Sequence, residues 1–211
     1  MPARAIFSDD TEALAHYGVL GMKWGVRRYE NKDGTLTAEG KTHKKELARV
    51  RNVVKSTDAA NSIVDSLSKN EKDVLGAEGK HWVDPKNARD ASKNIIRRII
   101  QQDESGNPVG FLEIENRGNR IGQVSLATRS GDAYRGKGHA SSMVDKAVKW
   151  FDRYGYAELD ALEWIAHKDN KASISLAEKH GFKPADMKEF HPDWDDYPDW
   201  KYYVYRKGER R

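Results

Sequence analysis

The chain has 211 residues, 37% of them hydrophobic and 33% charged, a composition that suits one globular domain with an appendage. It contains no cysteine, which excludes disulfides, thiolate metal sites and cysteine nucleophiles. Residues 1–55 hold 11 basic and 7 acidic residues and carry the whole net charge of +4, whereas residues 56–211 hold 26 of each sign. The basic balance therefore gives no reason to expect nucleic-acid binding by the larger part.

The start of the chain predicts neither export nor membrane insertion. Residues 1–4 lead into acidic and mixed sequence rather than an apolar signal core. No stretch of the sequence approaches the length of a membrane span. We therefore expect a location in the cytoplasm and no membrane partner.

The first distinctive segment is residues 16–29, HYGVLGMKWGVRRY, in which three glycines stand among aromatic and basic residues. Asp33-Gly34 then predicts a turn, and Thr37 predicts the N-cap of a helix beginning at about Ala38. Residues 14–41 resemble a short module found on proteins of tailed bacteriophages. The resemblance implies a phage or prophage origin and attachment to a phage structural protein, with the virion as a second location beside the host cytoplasm. The alternative is a small apolar flap packed on the main domain. Its apolar residues would be Tyr17, Leu20, Met22 and Trp24.

The middle of the chain predicts a helix followed by a hairpin. Residues 57–75 favour a helix whose apolar stripe is Ala60, Ile63, Val64 and Leu67. Residues 81–83 are a weak candidate for a first strand. Residues 94–101 and 109–115 predict two strands, and the turn-forming residues between them indicate an antiparallel hairpin.

A strand, a glycine-rich loop and a helix are predicted next. Residues 121–128 alternate, with Val124, Leu126 and Thr128 on one face. The loop 134–140, YRGKGHA, has the pattern Arg-x-x-Gly-x-Ala, and a helix follows it to about Tyr154. The apolar face of this helix consists of Ala140, Met143, Val144, Ala147, Val148 and Phe151.

The loop suits a diphosphate ligand. Gly136 and Gly138 lack a Cβ atom, so a ligand can approach the main chain. The start of the following helix attracts anions, and Arg135 and Lys137 add two positive charges. The alternative is an ordinary glycine-rich turn with solvated basic residues.

A second motif stands about thirty residues further along the chain. Residues 158–165 predict a strand, and residues 170–182 have the pattern Asn-x-x-Ser-(x)4-Glu-Lys-x-Gly-Phe. The two strand-loop-helix units resemble motifs A and B of the GNAT N-acetyltransferase superfamily, over about residues 94–207. The resemblance implies an α/β (α+β) fold: a mixed, mostly antiparallel twisted sheet with a central splay, flanked by helices. We expect this domain at 56–211, after an appendage at 1–55 that ends in a basic linker helix.

The resemblance also implies a reaction. Acetyl-CoA would be the co-substrate, no metal would be needed, and the amine acceptor would attack the thioester directly, without a covalent enzyme intermediate. The implied acetyl-CoA-binding residues are Leu126, Ala127, Thr128, Arg135, Gly136, Lys137, Gly138, His139, Ala140, Asn170 and Ser173. The acceptor would be a small molecule or a protein.

Two departures from the family pattern concern catalysis. Ala177 stands where many members have a tyrosine that protonates the leaving thiolate, and the strand 124–128 lacks the usual acidic residue. Glu113 and Glu163 are the candidate bases, each with the alternative of a solvated strand residue. The departures leave open a non-catalytic acyl-CoA-binding domain in a phage structural or assembly protein. A transferase with a longer acyl donor is a further alternative.

The C-terminal stretch has features that suit a cationic acceptor. Residues 190–200 combine aromatic rings with four aspartates, and a last strand is predicted at 201–205. The alternative is a rigid surface loop. His191 lacks a convincing set of metal-ligating neighbours.

Overall fold

The computed structural model describes residues 29–31, 33–67, 94–193 and 198–207. The helices are α1 (Ala38–Asp65), α2 (His139–Arg153), α3 (Lys171–Lys179) and α4 (Met187–Phe190), with a 3-10 turn at Gly155–Ala157. The strands are β1 (Ile95–Gln102), β2 (Pro108–Asn116), β3 (Ile121–Thr128), β4 (Ala161–His167), β5 (Lys183–Pro184) and β6 (Trp200–Arg206). The chain divides into two compact units between Leu47 and Ala48. The predicted boundary at residue 55 lies inside α1 and stays a prediction.

The described part of the first unit contains the predicted turn and helix cap. The Asp33 Oδ1 atom accepts a hydrogen bond from the Thr35 N–H at 2.9 Å. Thr37 caps α1, since its Oγ1 atom accepts from the Gly40 N–H at 3.0 Å. A Cβ atom at Gly40 would lie 2.0 Å from the Tyr29 carbonyl oxygen, so this close approach requires glycine within the helix.

Within the described residues, the second unit is built on a six-stranded sheet in the order β1-β2-β3-β4-β6-β5. Neighbouring strands of this sheet are antiparallel except for β3 and β4. The hairpin predicted over residues 94–115 is β1 and β2. The mixed, mostly antiparallel sheet that the resemblance implies is therefore confirmed.

The two parallel strands separate at the centre of the sheet. β3 and β4 are paired at three positions only, from Ile121 opposite Ala161 to Gln123 opposite Glu163. β2 remains paired with β3 up to Thr128, and β6 remains paired with β4 up to His167. The gap thus opens between the carboxyl ends of β3 and β4, which confirms the predicted splay.

One face of the sheet packs on α2. The buried residues of α2 are Met143, Val144, Ala147, Val148 and Phe151. Val124 and Leu126 of β3 pack in the same cluster, as their alternation predicts. The predicted apolar face is confirmed except at Ala140, which is half-buried at the first turn.

The opposite face packs on the second half of α1. Ala60, Ile63, Val64 and Leu67 form a cluster with Phe111 and Ala127, which confirms the predicted stripe. The helix predicted over residues 57–75 is confirmed over 57–65, where it is the last part of one helix that runs without a break from Ala38 to Asp65. No proline or glycine follows Gly40 in α1, so nothing in its backbone interrupts it. Residues 68–75, the candidate strand 81–83 and the four apolar flap residues lie outside the described part.

The strand predicted at 158–165 begins later than expected. Residues 155–157 form the 3-10 turn, in which the Glu158 N–H donates to the Gly155 carbonyl oxygen at 2.9 Å. This turn uses the residues before Ala161, so β4 occupies Ala161–His167 instead. The ends of β1, β2, β3 and β6 each lie within one residue of their predicted positions.

Candidate functional site

The glycine-rich loop joins β3 to α2 at the open end of the splay. Gly136 and Gly138 have φ angles of +70° and +79°, in the left-handed region that favours glycine. Gly138 is the N-cap of α2 and gives it no side-chain cap. A Cβ atom added at either glycine would meet nothing within 4 Å. The start of α2 therefore presents main-chain N–H groups toward open space.

The charges around this loop suit an anion. Arg135 and Lys137 are exposed, and His139 and Ala140 are half-buried in the first turn of α2. The helix dipole adds a partial positive charge at the same place. Loop geometry and charge thus fit the diphosphate that the resemblance implies, and the structure brings residues 135–140 together as one cradle.

The base of the loop is held to the sheet and to α1. The Arg129 guanidinium donates to the Pro108 carbonyl oxygen at 2.7 Å and to the Ser62 hydroxyl at 3.0 Å. These bonds link the residue after β3 to β2 and α1. Because this anchor lies at the start of the loop, it leaves the space around Gly136 and Gly138 open to a ligand.

The edge of β3 provides the second part of the site. Leu126 packs toward α2, whereas Ala127 packs toward α1. Beyond Gln123, β4 no longer pairs with β3, so the main-chain groups of residues 124–128 that point toward β4 have no strand partner. An extended ligand in the splay could hydrogen-bond to them as a further strand would.

The start of α3 lies on the other side of the splay. The Asn170 Oδ1 atom accepts from the Ser173 N–H at 3.0 Å and caps α3. The Ser173 hydroxyl accepts from the Trp164 Nε1–H at 2.9 Å. Within the described part of the chain, the Asn170 amide nitrogen has no partner, so it could still donate to a ligand.

Sequence reasoning missed a contact between the two motifs. The Ser141 Oγ and His180 Nε2 atoms lie 2.9 Å apart, which joins the first turn of α2 to the end of α3. His180 is 7% exposed. Ser141 directly follows the loop 134–140, and His180 lies within the motif 170–182, so the sequence pointed to both positions. It did not show that the two side chains contact each other.

Ala177 is part of the main core. It is fully buried in the cluster that includes Phe182 and Trp164. Its methyl group cannot donate a proton, so the structure places no proton donor at the position where many family members carry a tyrosine.

Glu113 lies in an ion pair on the face that packs against α1. It contacts Arg98, and both side chains are 1% exposed. Burial raises the pKa of Glu113 to about 7, although the Arg98 guanidinium acts in the opposite direction. The Glu113 Oε2 atom has no hydrogen-bond partner among the described residues. Its cross-strand neighbour is Ser125.

Glu163 lies at the closed end of the splay, opposite Gln123 in the last pair before the strands separate. Its side chain is 0% exposed. The Oε2 atom lies 2.6 Å from the His191 Nε2 atom and accepts from the Tyr202 hydroxyl at 2.8 Å. The Oε1 atom is buried without a partner among the described residues. Burial, followed by the charge of Glu163, raises the pKa of Tyr202.

His191 and Tyr202 were missed as site residues. They lie 28 and 39 positions from Glu163, beyond any local pattern. In the sequence, the aspartates near His191 raise only the question of metal binding. The signal that could have identified them is the alternation of β6, which places Tyr202 beside β4.

An open groove on the second unit is lined by none of the site residues predicted from the sequence, although Tyr202, which bonds to Glu163, lines it. It is lined by residues 184–188 and 198, and by Trp200 to Tyr203. In the described ranges, three or more metal-ligating side chains do not come together at any point. Their helices also include none that is both long and apolar enough to cross a membrane.

Comparison with solved structures identifies the fold. A GNAT-family acetyltransferase from Streptococcus pneumoniae matches with a TM-score of 0.52 and 19% identity, over 72% of this chain and 94% of that chain. One from Staphylococcus aureus Mu50 matches with a TM-score of 0.54 and 12% identity, over 72% and 93%. A mutant spermidine/spermine N-acetyltransferase from Vibrio cholerae has a TM-score of only 0.40 and 16% identity, over 54% and 68%.

The sequence itself has matches among protein families. No curated protein matches it significantly. A family of unknown function matches residues 8–31, which overlap the N-terminal module, and its description assigns no role. The family model of the GNAT acetyltransferase domain matches residues 25–183, well over half of the chain. This match agrees with the splayed sheet and the loop at the start of α2, and the chain belongs to the GNAT acetyltransferase family.

Proposed function

We propose that this protein is an acetyl-CoA-dependent N-acetyltransferase that transfers an acetyl group to a primary amine. The observation that carries the proposal is the splay between β3 and β4, which opens toward the uncapped, glycine-lined start of α2. A long ligand with a diphosphate at one end and a thioester at the other would fit this arrangement. Family membership supports the same conclusion.

The residues of the splay divide the binding of acetyl-CoA between them. The N–H groups and charges of residues 135–140 would hold the diphosphate. The main chain at Leu126, Ala127 and Thr128 would hold the acyl-bearing arm, with Asn170 and Ser173 on the opposite side. Acetyl-CoA supplies an activated acyl group, so the protein needs mainly to position the amine and remove its proton.

Glu163 is the better of the two candidate bases. It lies at the last paired position of the splay, where a ligand entering from the open end would reach the sheet. Glu113 is held by Arg98, whose guanidinium also donates to the Val53 carbonyl oxygen of α1 at 2.8 Å. This network gives Glu113 a structural role. Each carboxylate has one buried oxygen without a partner among the described residues, so the preference for Glu163 depends on its position in the splay.

One observation favours a second function, a non-catalytic acyl-CoA-binding domain. The buried methyl group of Ala177 provides no acid for the leaving thiolate. A thiolate is a good leaving group that water can protonate, so the missing tyrosine does not exclude transfer. Both functions predict the same binding of acetyl-CoA, and only transfer separates them.

The binding test compares two glycines that have the same backbone requirement. Gly138→Trp puts a large side chain into the proposed diphosphate cradle. Gly118→Trp is the matched control: Gly118 has a φ of +90° and open space around it, but it lies in the turn before β3, at the other end of that strand. We expect isothermal titration calorimetry to detect acetyl-CoA binding in the wild type and Gly118→Trp, and a loss of binding in Gly138→Trp.

The transfer test uses the same three proteins with radiolabelled acetyl-CoA and a bacterial lysate. Label transferred by the wild type and Gly118→Trp, but not by Gly138→Trp, supports the enzyme. Binding without transfer to any component of the lysate supports the non-catalytic function. If the wild type binds no acyl-CoA, both functions are excluded.

For the N-terminal part we propose an attachment role, as the resemblance to phage modules implies, with the protein in the host cytoplasm or on the virion. Most of this segment lies outside the described residues, so the proposal depends on sequence. Deletion of residues 1–41 tests it: loss of association with phage particles, with transfer activity retained, is the expected result. Unchanged association with reduced solubility would instead favour the apolar flap.

A further inference from the structure

We propose that His180 positions the Ser141 hydroxyl as a hydrogen-bond donor to the diphosphate of acetyl-CoA. In this arrangement the His180 Nε2–H donates to the Ser141 Oγ atom, and the Ser141 hydroxyl gives its own proton to a diphosphate oxygen. The inference rests on the acetyl-CoA binding proposed above. It adds two residues to the cradle of residues 135–140, and neither is among the site residues predicted from the sequence.

Ser141 lies in the first turn of α2, directly after the glycine-rich loop. The main-chain hydrogen bonding of this helix begins with the Ser142 N–H, which donates to the Gly138 carbonyl oxygen at 2.9 Å. The N–H groups of residues 139–141 come before that bond, so the helix offers them no acceptor. The Ser141 side chain is half-buried, so part of it is exposed. Its hydroxyl therefore lies in the same turn as the N–H groups that would hold the diphosphate.

His180 reaches this turn from the end of α3. It is the C-cap of that helix, and its main-chain N–H donates to the Ala177 carbonyl oxygen at 3.1 Å. The residue is 7% exposed, and its Nε2 atom lies 2.9 Å from the Ser141 Oγ atom. Because the main chain is fixed and the ring is buried, the imidazole has little freedom to turn away. It therefore holds the serine oxygen at one place beside the cradle.

The contact between the two side chains allows two arrangements of protons. A serine hydroxyl has one proton and two lone pairs, and a neutral imidazole carries its proton on either ring nitrogen. If Nε2 of His180 is bare, the Ser141 hydroxyl must donate to it and presents only lone pairs to a ligand. If Nε2 carries a proton, it donates to Oγ and the hydroxyl proton is available. A diphosphate presents only acceptors, so its binding selects the second arrangement.

The neighbouring Ser142 provides an internal comparison. Its hydroxyl donates to the Gln101 Oε1 atom at 3.3 Å, and the Lys146 Nζ atom donates to the same oxygen at 3.0 Å. An amide oxygen can only accept, so Ser142 has already given its proton to β1. The two serines are adjacent in one turn but differ in their partners. Of the two, Ser141 is the one whose partner can itself donate and so leave the hydroxyl proton for a ligand.

The binding test compares CoA with pantetheine, which has the same thiol-bearing arm but no diphosphate. Both compounds are titrated into the wild type, Ser141→Ala, His180→Leu, His180→Gln and the matched control Ser142→Ala. We expect Ser141→Ala and His180→Leu to lower the preference for CoA over pantetheine about tenfold or more, the loss of one hydrogen bond to a charged group. His180→Gln keeps an N–H donor and should retain more of the preference than His180→Leu. Ser142→Ala should keep the preference of the wild type.

A spectroscopic test reports the position of the proton without any transfer reaction. In protein labelled with 15N-histidine, the spectrum of His180→Leu identifies the His180 signals by their loss. In the CoA complex of the wild type, the His180 Nε2 atom should carry a proton. Ser141→Ala should change this Nε2 signal in the complex, and Ser142→Ala should leave it unchanged. A bare Nε2 atom in the CoA complex would overturn the inference.

A purely structural contact between the two helices predicts a different result. In that case Ser141→Ala and His180→Leu would change the affinities for CoA and pantetheine by the same factor, and the inference would be wrong. The inference would also be wrong if Ser142→Ala lost as much of the preference as Ser141→Ala. In both cases a wild type that binds and transfers the acetyl group leaves the proposed function intact. A wild type that binds no CoA contradicts the proposed function and the inference together.

Discussion

Arg98 and Glu113 face each other across β1 and β2 and form an ion pair in which both side chains are 1% exposed. The same guanidinium donates to the Val53 carbonyl oxygen at 2.8 Å. It also lies 3.3 Å from the hydroxyls of Ser56 and Thr57. The pair therefore links the sheet to the second half of α1.

Loss of Arg98 alone should be strongly destabilising. Arg98→Met leaves Glu113 buried without its partner and removes a donor from the Val53 carbonyl oxygen. We expect the free energy of unfolding to fall by roughly 3–5 kcal/mol in urea denaturation. The double variant Arg98→Met/Glu113→Leu should recover part of this loss, because it removes the buried carboxyl group that has lost its partner. A double variant no more stable than Arg98→Met would contradict the coupling.

Glu113 should also make stability depend on pH. Burial raises its pKa in the folded protein to about 7 from an ordinary value of 4.5. Between these values the folded state holds a proton that the unfolded state has lost, so stability must fall as the pH rises through this range. The denaturation midpoint of the wild type should therefore fall between pH 4.5 and about 7 more than that of Glu113→Gln. Parallel curves for the two proteins would show that Glu113 does not titrate in this range.

Asn170 should have two roles that substitution can separate. Its Oδ1 atom caps α3 by accepting from the Ser173 N–H at 3.0 Å. Asn170→Ala should lower the free energy of unfolding by roughly 0.5–2 kcal/mol, whereas Asn170→Ser keeps a capping oxygen and should lose little. Both variants lack the amide nitrogen, so both should bind acetyl-CoA more weakly in calorimetry. Normal binding by Asn170→Ser would limit Asn170 to its capping role.

Placing a tyrosine at position 177 should not increase acetyl transfer. Ala177 is 0% exposed within the main core cluster, so a phenol ring has no space there. We expect Ala177→Tyr to destabilise the fold by about 1–3 kcal/mol or more through overpacking. Transfer of label to the acceptor should not increase. A stable variant with faster transfer would show instead that the core can open at this position.

Local patterns were sufficient to predict most of the second unit. The alternation of residues 121–128 and the helical spacing of Met143 to Phe151 predict β3 and α2, because each segment has one face that must be buried. The glycines of the loop also predict their own conformation, since their positive φ angles are rarely available to other residues.

Features that depend on distant segments were less predictable. The continuity of α1 was missed because its middle is polar and gives only a weak amphipathic signal. Both candidate bases were recognised as acidic residues on strands, but solvated positions were the alternative for each. Burial of Glu113 and Glu163 became apparent only when Arg98, His191 and Tyr202 were placed beside them.

The sequence by itself determined the elements on either side of the loop 134–140 and the chemistry that this loop suits, because periodicity, glycine and charge act over a few residues. The tertiary structure decided which acidic residue lies at the closed end of the splay. That choice depends on the pairing of β3 with β4 at three positions and on the approach of His191 and Tyr202 from distant segments. The local geometry of the loop therefore indicates a ligand with a diphosphate group, whereas the surroundings of Glu163 arise only from long-range packing.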